Sequence, residues 1–347
     1  MAYRDEVEHL LYNLAKPPGS LGILETQAKQ TLLGWGKFQQ ELRPKHIIFA
    51  ADNGVVQAGV VAQLAEITYM QSVHMVNGTS AVTCFCRANG IPYEVVDVGI
   101  DSADAVGIDR KIARGTRNFA HEPAMTTAQY ERALAIGRER VLQAGKDGYN
   151  FLSFGEMGIG NTTTSAAVLT AIAPKGSTFL VGYGSAAKNY QLLLHKRRVV
   201  ADALQRYALY IHDAATALQY VGGFDLVALC GAMLACVEAH IPFYIDGFIT
   251  AVALASAVQM NGAVRDMALP SHLSREPGMA AALRLCGIDE YDVPIQANMA
   301  LGEGTGAVLA TVLLRSMMYA VWHMDTLDGI NQSAAARHAE QEDSHDR

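Results

Sequence analysis

Residues 151–169, FLSFGEMGIGNTTTSAAVL, pass from an apolar run through a glycine-rich turn into the start of a helix. An apolar strand, a turn and a helix in that order make one unit of a parallel sheet. The turn nearly matches the phosphate-loop pattern G-x-x-x-x-G-K-[ST]: Gly155 and Gly160 are in place, but Asn161 stands where the lysine belongs. That lysine neutralises the β and γ phosphates of a nucleoside triphosphate, so the loop does not read as that of an ATPase. A monophosphate carries less charge. The amides of Gly158, Gly160 and Asn161 and the hydroxyls of Thr162 to Thr164, at the positive end of a helix, offer it a cradle. The alternative is a tight turn that needs its glycines for backbone shape alone.

The same alternation extends outward. HIIFAAD (46–52), PYEVVDVGI (92–100), STFLVGYG (177–184) and IPFYIDGF (241–248) read as further strands. Helical patterns lie between them, among them 65–90 and 126–145, the latter with Thr126 or Thr127 as N-cap. The expectation is an α/β fold: a parallel, Rossmann-like sheet with helices on both faces, over residues 44–265. Residues 1–43 and 266–329 read as a smaller, mainly helical lobe. The polar stretch 330–347 reads as a disordered tail. In such sheets ligands bind beyond the carboxyl ends of the strands. That singles out Asp52-Asn53-Gly54, Gly155-Glu156, Gly182-Tyr183-Gly184 and Asp246-Gly247.

Composition narrows the function. The 347 residues are 50% hydrophobic and 18% charged, with a formal net charge of −7, which argues against nucleic acid as a partner. The five cysteines form no C-x-x-C pair, so neither a disulfide framework nor a zinc site is expected. The N-terminal MAYRDEVEHLLYNLAK is too acidic for a signal peptide. LVALCGAMLACV (226–237) falls short of the roughly 20 residues that span a bilayer. A soluble, cytoplasmic protein without membrane contact is expected.

Three other features carry chemistry. Lys196, in LHKRRVV, is a candidate cation for the loop's anion, or else a solvated helix lysine. Glu303, between glycines in ALGEGTGAVLA (300–310), is either a proton acceptor or an N-terminal acid favoured by the helix dipole. PSHLSREPG (270–278) supplies His272, Ser274 and Glu276, but no G-x-S-x-G nucleophile motif occurs. The scattered His74, His121, His195 and His240 show no metal spacing.

Taken in order, KPPGSLG.LE, ADNGV, VVDVGI, GTRN, AMT, GEMGIGNTTT, VGGFDL, DGFI, SHLS.E and LGEGTG resemble the nicotinate-nucleotide:dimethylbenzimidazole phosphoribosyltransferase family over about residues 10–320. The resemblance implies transfer of a 5-phosphoribosyl group from nicotinate mononucleotide to a lower-ligand base of a cobamide, without cofactor or metal. It makes Glu303 the catalytic base. It assigns Glu156, Gly158, Gly160, Asn161, Thr162, Gly184, Lys196 and Ser274 to the nucleotide and its phosphate. It also implies a dimer.

The departures fall where the acceptor binds. Asn53 replaces the histidine of ADHGV, and Gln63-Leu64 replace an expected Ser-Pro. Gln71 is kept, and Ala300 precedes Leu301 where an arginine is common. The acceptor set is therefore Asn53, Gln63, Gln71 and Leu301. The base is of benzimidazole type or, as in a heterodimeric relative built from two similar chains, phenol or p-cresol. A non-catalytic partner subunit of such an enzyme is the remaining reading.

Overall fold

A computed structural model describes residues 2–174, 177, 180–184 and 189–345, with side chains through 337. Among these residues six strands form one sheet in the order β3-β2-β1-β4-β5-β6. They are β1 (Pro44–Ala51), β2 (Tyr93–Gly99), β3 (Ile108–Asp109), β4 (Phe151–Met157), β5 (Phe243–Ile245) and β6 (Ala268–Pro270). Every pairing is parallel. The order reverses between β1 and β4, which is where a doubly wound sheet opens its ligand crevice.

The central strands are legible as continuous apolar runs because helices leave them no wet face. Every residue of β1 and β4 is buried. Even the charges at the start of β1 are paired: Lys45 Nζ lies 2.6 Å from Glu94, which also binds Arg140 at 2.8 Å. Helices Ile67–Val76 and Phe224–Ala239 each pack against β1, β2 and β4.

Helix Phe224–Ala239 is apolar on every side, and it is buried from Phe224 to Met233. Helix Phe248–Met260 behaves likewise. Apolar surface all round a helix marks a core element. Helix Thr127–Lys146 begins as expected at Thr126, whose hydroxyl accepts from the Gln129 amide at 3.2 Å.

Three expectations need adjusting. The chain divides into a unit of residues 43–311 and one of 1–42 with 312–347. Residues 266–311 therefore belong with the sheet: β6 pairs with β5 through Phe243–Ala268, Tyr244–Leu269 and Ile245–Pro270. The stretch 327–345 is helical rather than a tail without structure. The strand expected at 177–184 lies partly outside the described residues, and the described ones there form no strand.

In the smaller unit Tyr3, Phe38 and Trp322 meet edge to face, and Leu14 bridges Thr326. Helix Thr305–His323 is long and apolar enough to cross a membrane by composition. It exceeds the 226–237 run in length, but 56% of its apolar window is buried inside the fold, as in a core helix.

Candidate active site

The loops that follow β1, β4, β5 and β6 converge with the turn 302–304. Between them lies a cavity of about 410 Å³, within the range of small-molecule sites. Its walls include Gln63, Gln71, Glu156, Gly158, Gly160, Asn161, Thr162, Gly184, Ser274, Leu301 and Glu303. Of the residues that the resemblance assigns to base, nucleotide or acceptor, Lys196 and Asn53 do not line it. Asn53 is buried beneath the loop after β4, its amide 3.4 Å from the Ala51 carbonyl, so it is not a direct contact for an acceptor.

Glu303 sits in an unusual backbone. Gly302, Glu303 and Gly304 all have positive φ, at 84°, 64° and 94°. Glycine enters this left-handed region freely; for glutamate it costs of order 1–3 kcal/mol and persists only when the surroundings hold it. The surroundings do so. The Glu303 amide donates to Glu156 Oε1 at 3.4 Å. The Gly304, Gly306 and Ala307 amides donate to the Asp246 carboxylate at 3.3, 2.8 and 3.1 Å. Asp246, just after β5, thus caps the helix that follows Glu303.

The Glu303 carboxyl is buried. Oε1 accepts from Gln71 Nε2 at 2.5 Å, and Oε2 has no partner of hydrogen-bond geometry among the described residues. Burial raises its pKa above the ordinary glutamate value. Gln71 and, outside good hydrogen-bond geometry, the Val82 amide oppose this, while the Asp246 charge adds to it. A raised pKa makes the ionised carboxylate a stronger base.

Asn161 answers the question of the missing lysine. Its Nδ2 donates to both Glu156 Oε2 and Asp225 Oδ2, the latter at 3.1 Å. Its amide donates to the Gly158 carbonyl inside the turn. The residue therefore ties two buried carboxyls together, and its amide is not available to an anion. Burial, with Asp225 alongside, pushes Glu156 up to about 8; burial pushes Asp225 up to about 7. Thr163 and Thr164 are fully buried, so of the three hydroxyls only Thr162 reaches the cavity.

Lys196 reaches the loop from helix Tyr190–Arg206. It is 1% exposed, and its Nζ donates to Thr162 Oγ1 at 3.0 Å. Burial lowers its pKa to about 8, against the pull of Glu276. Glu276 in turn accepts from the Gly184 amide at 3.1 Å. The space above Gly184 is open only because it lacks a side chain: a Cβ there would lie 2.4 Å from Thr162 Oγ1. Behind the cavity wall at Thr162 thus lies a buried cation, and Glu303 lines the same cavity as a carboxylate base. Asp246, His272 and Glu276 also line it. Among the described residues no cluster suited to a metal ion is present.

A phosphoribosyltransferase family model matches residues 1–331. The chain is 38% identical over 301 residues to a nicotinate-nucleotide–dimethylbenzimidazole phosphoribosyltransferase of Clostridium perfringens, covering 86% of this chain and 82% of the relative. It is 37% identical over 330 residues to the protein of that name in Ralstonia nicotianae, covering 92% and 91%. Among solved structures it superposes on CobT from Thermus thermophilus with a TM-score of 0.86 and 36% identity, covering 94% of this chain and 97% of that one.

Proposed function

This chain belongs to the phosphoribosyltransferase family, and from that premise we propose that it transfers the 5-phosphoribosyl group of nicotinate mononucleotide to a benzimidazole-type base. The product is the α-ribotide of a cobamide lower ligand. The observation that supports this most is Glu303. Its buried carboxyl is held in a left-handed turn that lines the same cavity as Thr162, the hydroxyl partner of Lys196.

The chemistry follows from the charges. In nicotinate mononucleotide the pyridinium nitrogen bonded to ribose C1 is positive. When a ring nitrogen of the acceptor attacks C1, the C1–pyridinium bond breaks with its electron pair to nicotinate. Departure removes a charge, so no general acid is needed. The acceptor's N–H proton passes to Glu303. Positive charge that develops at C1 is favoured by a cavity whose described lining holds carboxyl groups and no lysine or arginine. Thr162 and Lys196, beside Gly184, take the 5′-phosphate, and no metal enters the scheme.

Release of nicotinate should depend strictly on the acceptor. Release at an equal rate without one would make the protein a nucleotide hydrolase and overturn the reading. The phosphate assignment has its own test. Lys196 loses its proton as pH rises through about 8. The KM for nicotinate mononucleotide should therefore climb above that pH. Lys196→Met should have a high KM at every pH, with no such climb. A Lys196→Met enzyme with unchanged KM would place the phosphate elsewhere.

A second reading, transfer to phenol or p-cresol, is favoured by Gln63, which lines the cavity where the resemblance expects serine. Pairing with a second copy or a similar chain is proposed on the resemblance alone. The apolar helices Phe224–Ala239 and Phe248–Met260 are used largely inside the chain. Sedimentation at micromolar concentration tests the pairing, and a monomer would refute it. A cytoplasmic location is likewise proposed; a secreted or membrane-bound pool in cell fractionation would contradict it.

A further inference from the structure

His46 is a buried histidine that the scheme above does not use. It lies on β1, is 0% exposed, and does not line the cavity. Its partner in register across the sheet is Ser153 of β4. Its Nδ1 lies 2.8 Å from Ser153 Oγ, and its Nε2 lies 3.1 Å from the backbone oxygen of Glu303. A carbonyl oxygen only accepts, so Nε2 carries the proton. Nδ1 of the neutral ring then accepts from the serine hydroxyl. Burial holds the ring's pKa down at about 4, so the ring stays neutral at ordinary pH.

We infer that His46, fixed by Ser153 as its Nε2–H tautomer, is a positioning residue that clamps the Glu303 carbonyl and so aims the Glu303 carboxylate at the cavity.

The packing leaves the turn little room to do without this contact. A Cβ on Gly304 would sit 2.1 Å from His46 Cε1, so the ring lies flush against the turn. On the other flank Asp246 accepts the Gly304, Gly306 and Ala307 amides. The left-handed residues are held from two sides, by a donor on β1 and an acceptor after β5. The Asp246 side fixes the start of the helix. Only His46 bonds the peptide oxygen of Glu303 itself among the described hydrogen bonds. Without it that peptide keeps only the 3.3 Å bond of its Gly304 amide to Asp246, so it can tilt, and the carboxylate moves with it.

The inference rests on Glu303 being the base, and the test separates the two. His46→Leu removes the donor at similar volume. It should lower kcat by up to about 10²-fold, the cost of misplacing a catalytic group by roughly 1 Å, and leave the KM for nicotinate mononucleotide unchanged. His46→Gln, whose Nε2 can occupy the same place, should recover most of the loss. In a Glu303→Gln background His46→Leu should lower kcat no further, because it acts only through Glu303.

Losses that multiply in the double variant would show a merely structural role and overturn the inference. A Glu303→Gln enzyme with full activity would instead overturn the choice of base. Should His46→Leu fail to fold, ¹⁵N spectra of imidazole-labelled unaltered protein decide, with His46 assigned by its loss in His46→Gln. An Nε2–H tautomer is expected, and an Nδ1–H tautomer would overturn the clamp.

Discussion

Glu303→Gln is expected to lower turnover by about 10² to 10⁴, the usual contribution of a positioned general base. The change preserves shape and the acceptor for Gln71, so the Kd for nicotinate mononucleotide should hardly move. The acceptor sets the pH response. A benzimidazole must shed an N–H proton as its other nitrogen bonds to C1. A phenol must shed an O–H proton with a reference pKa near tyrosine's, about 10. With a phenol the Glu303→Gln defect should shrink toward high pH, where phenolate forms unaided; with a benzimidazole it should persist. Turnover measured against pH for both proteins and both acceptors reads this directly. Unchanged turnover with every acceptor would reduce Glu303 to a helix-terminus acid.

Gly155→Ala should be almost as damaging, although Gly155 is on a strand. A Cβ there would lie 2.1 Å from the Glu303 carbonyl oxygen, 2.6 Å from its carbon and 2.8 Å from His46 Nε2. None of these is the loose end of a side chain, so the turn itself must move. A shift near 1 Å at the base costs on the order of 10² in kcat. Overpacking so close to the middle of the sheet costs about 1–3 kcal/mol of stability. Gly262→Ala is the control: nothing lies within 4 Å of its Cβ position. A Gly155→Ala enzyme that matched Gly262→Ala in melting temperature and kcat would mean that the turn does not rest on β4.

The sheet is legible because its strands are of the kind that sequence reveals best. β1 and β4 are buried on both faces, so HIIFAA and FLSF stand out as unbroken apolar runs. β3 and β6 are not legible, since two or three residues carry no periodicity and neither sits in an apolar run as long as the one around β5. Without β6 in view, the boundary of the larger unit reads as 265 rather than 311. The C-terminal stretch reads as unstructured on its polarity. Its alanines, glutamates and glutamines are also good helix formers, which an apolar-face criterion does not register.

At the site, glycines and acids directly after strands are visible because their spacing is local. What stays hidden depends on partners far along the chain. His46 bonds a residue 257 positions away, and Asn161 bonds Asp225, 64 positions away. The clue for His46 is one polar residue opening an apolar strand run, which says that a partner exists but not which one. Asn161 misleads for a related reason. Its place in a phosphate-loop pattern suggests an amide donor, whereas a buried side-chain amide between two carboxyls is visible only once the fold brings Glu156 and Asp225 together.

Whether this chain makes a ribotide is read from its products. The purified protein is incubated with nicotinate mononucleotide and, separately, dimethylbenzimidazole, adenine, phenol and p-cresol, and the products are read by mass spectrometry. An acceptor ribotide 5′-phosphate and one nicotinate per ribotide are expected, with the benzimidazole favoured. A phenolic ribotide alone would select the second acceptor class. No ribotide from any acceptor, with the nucleotide bound but intact, would contradict the account and leave the chain as a binding partner rather than the enzyme.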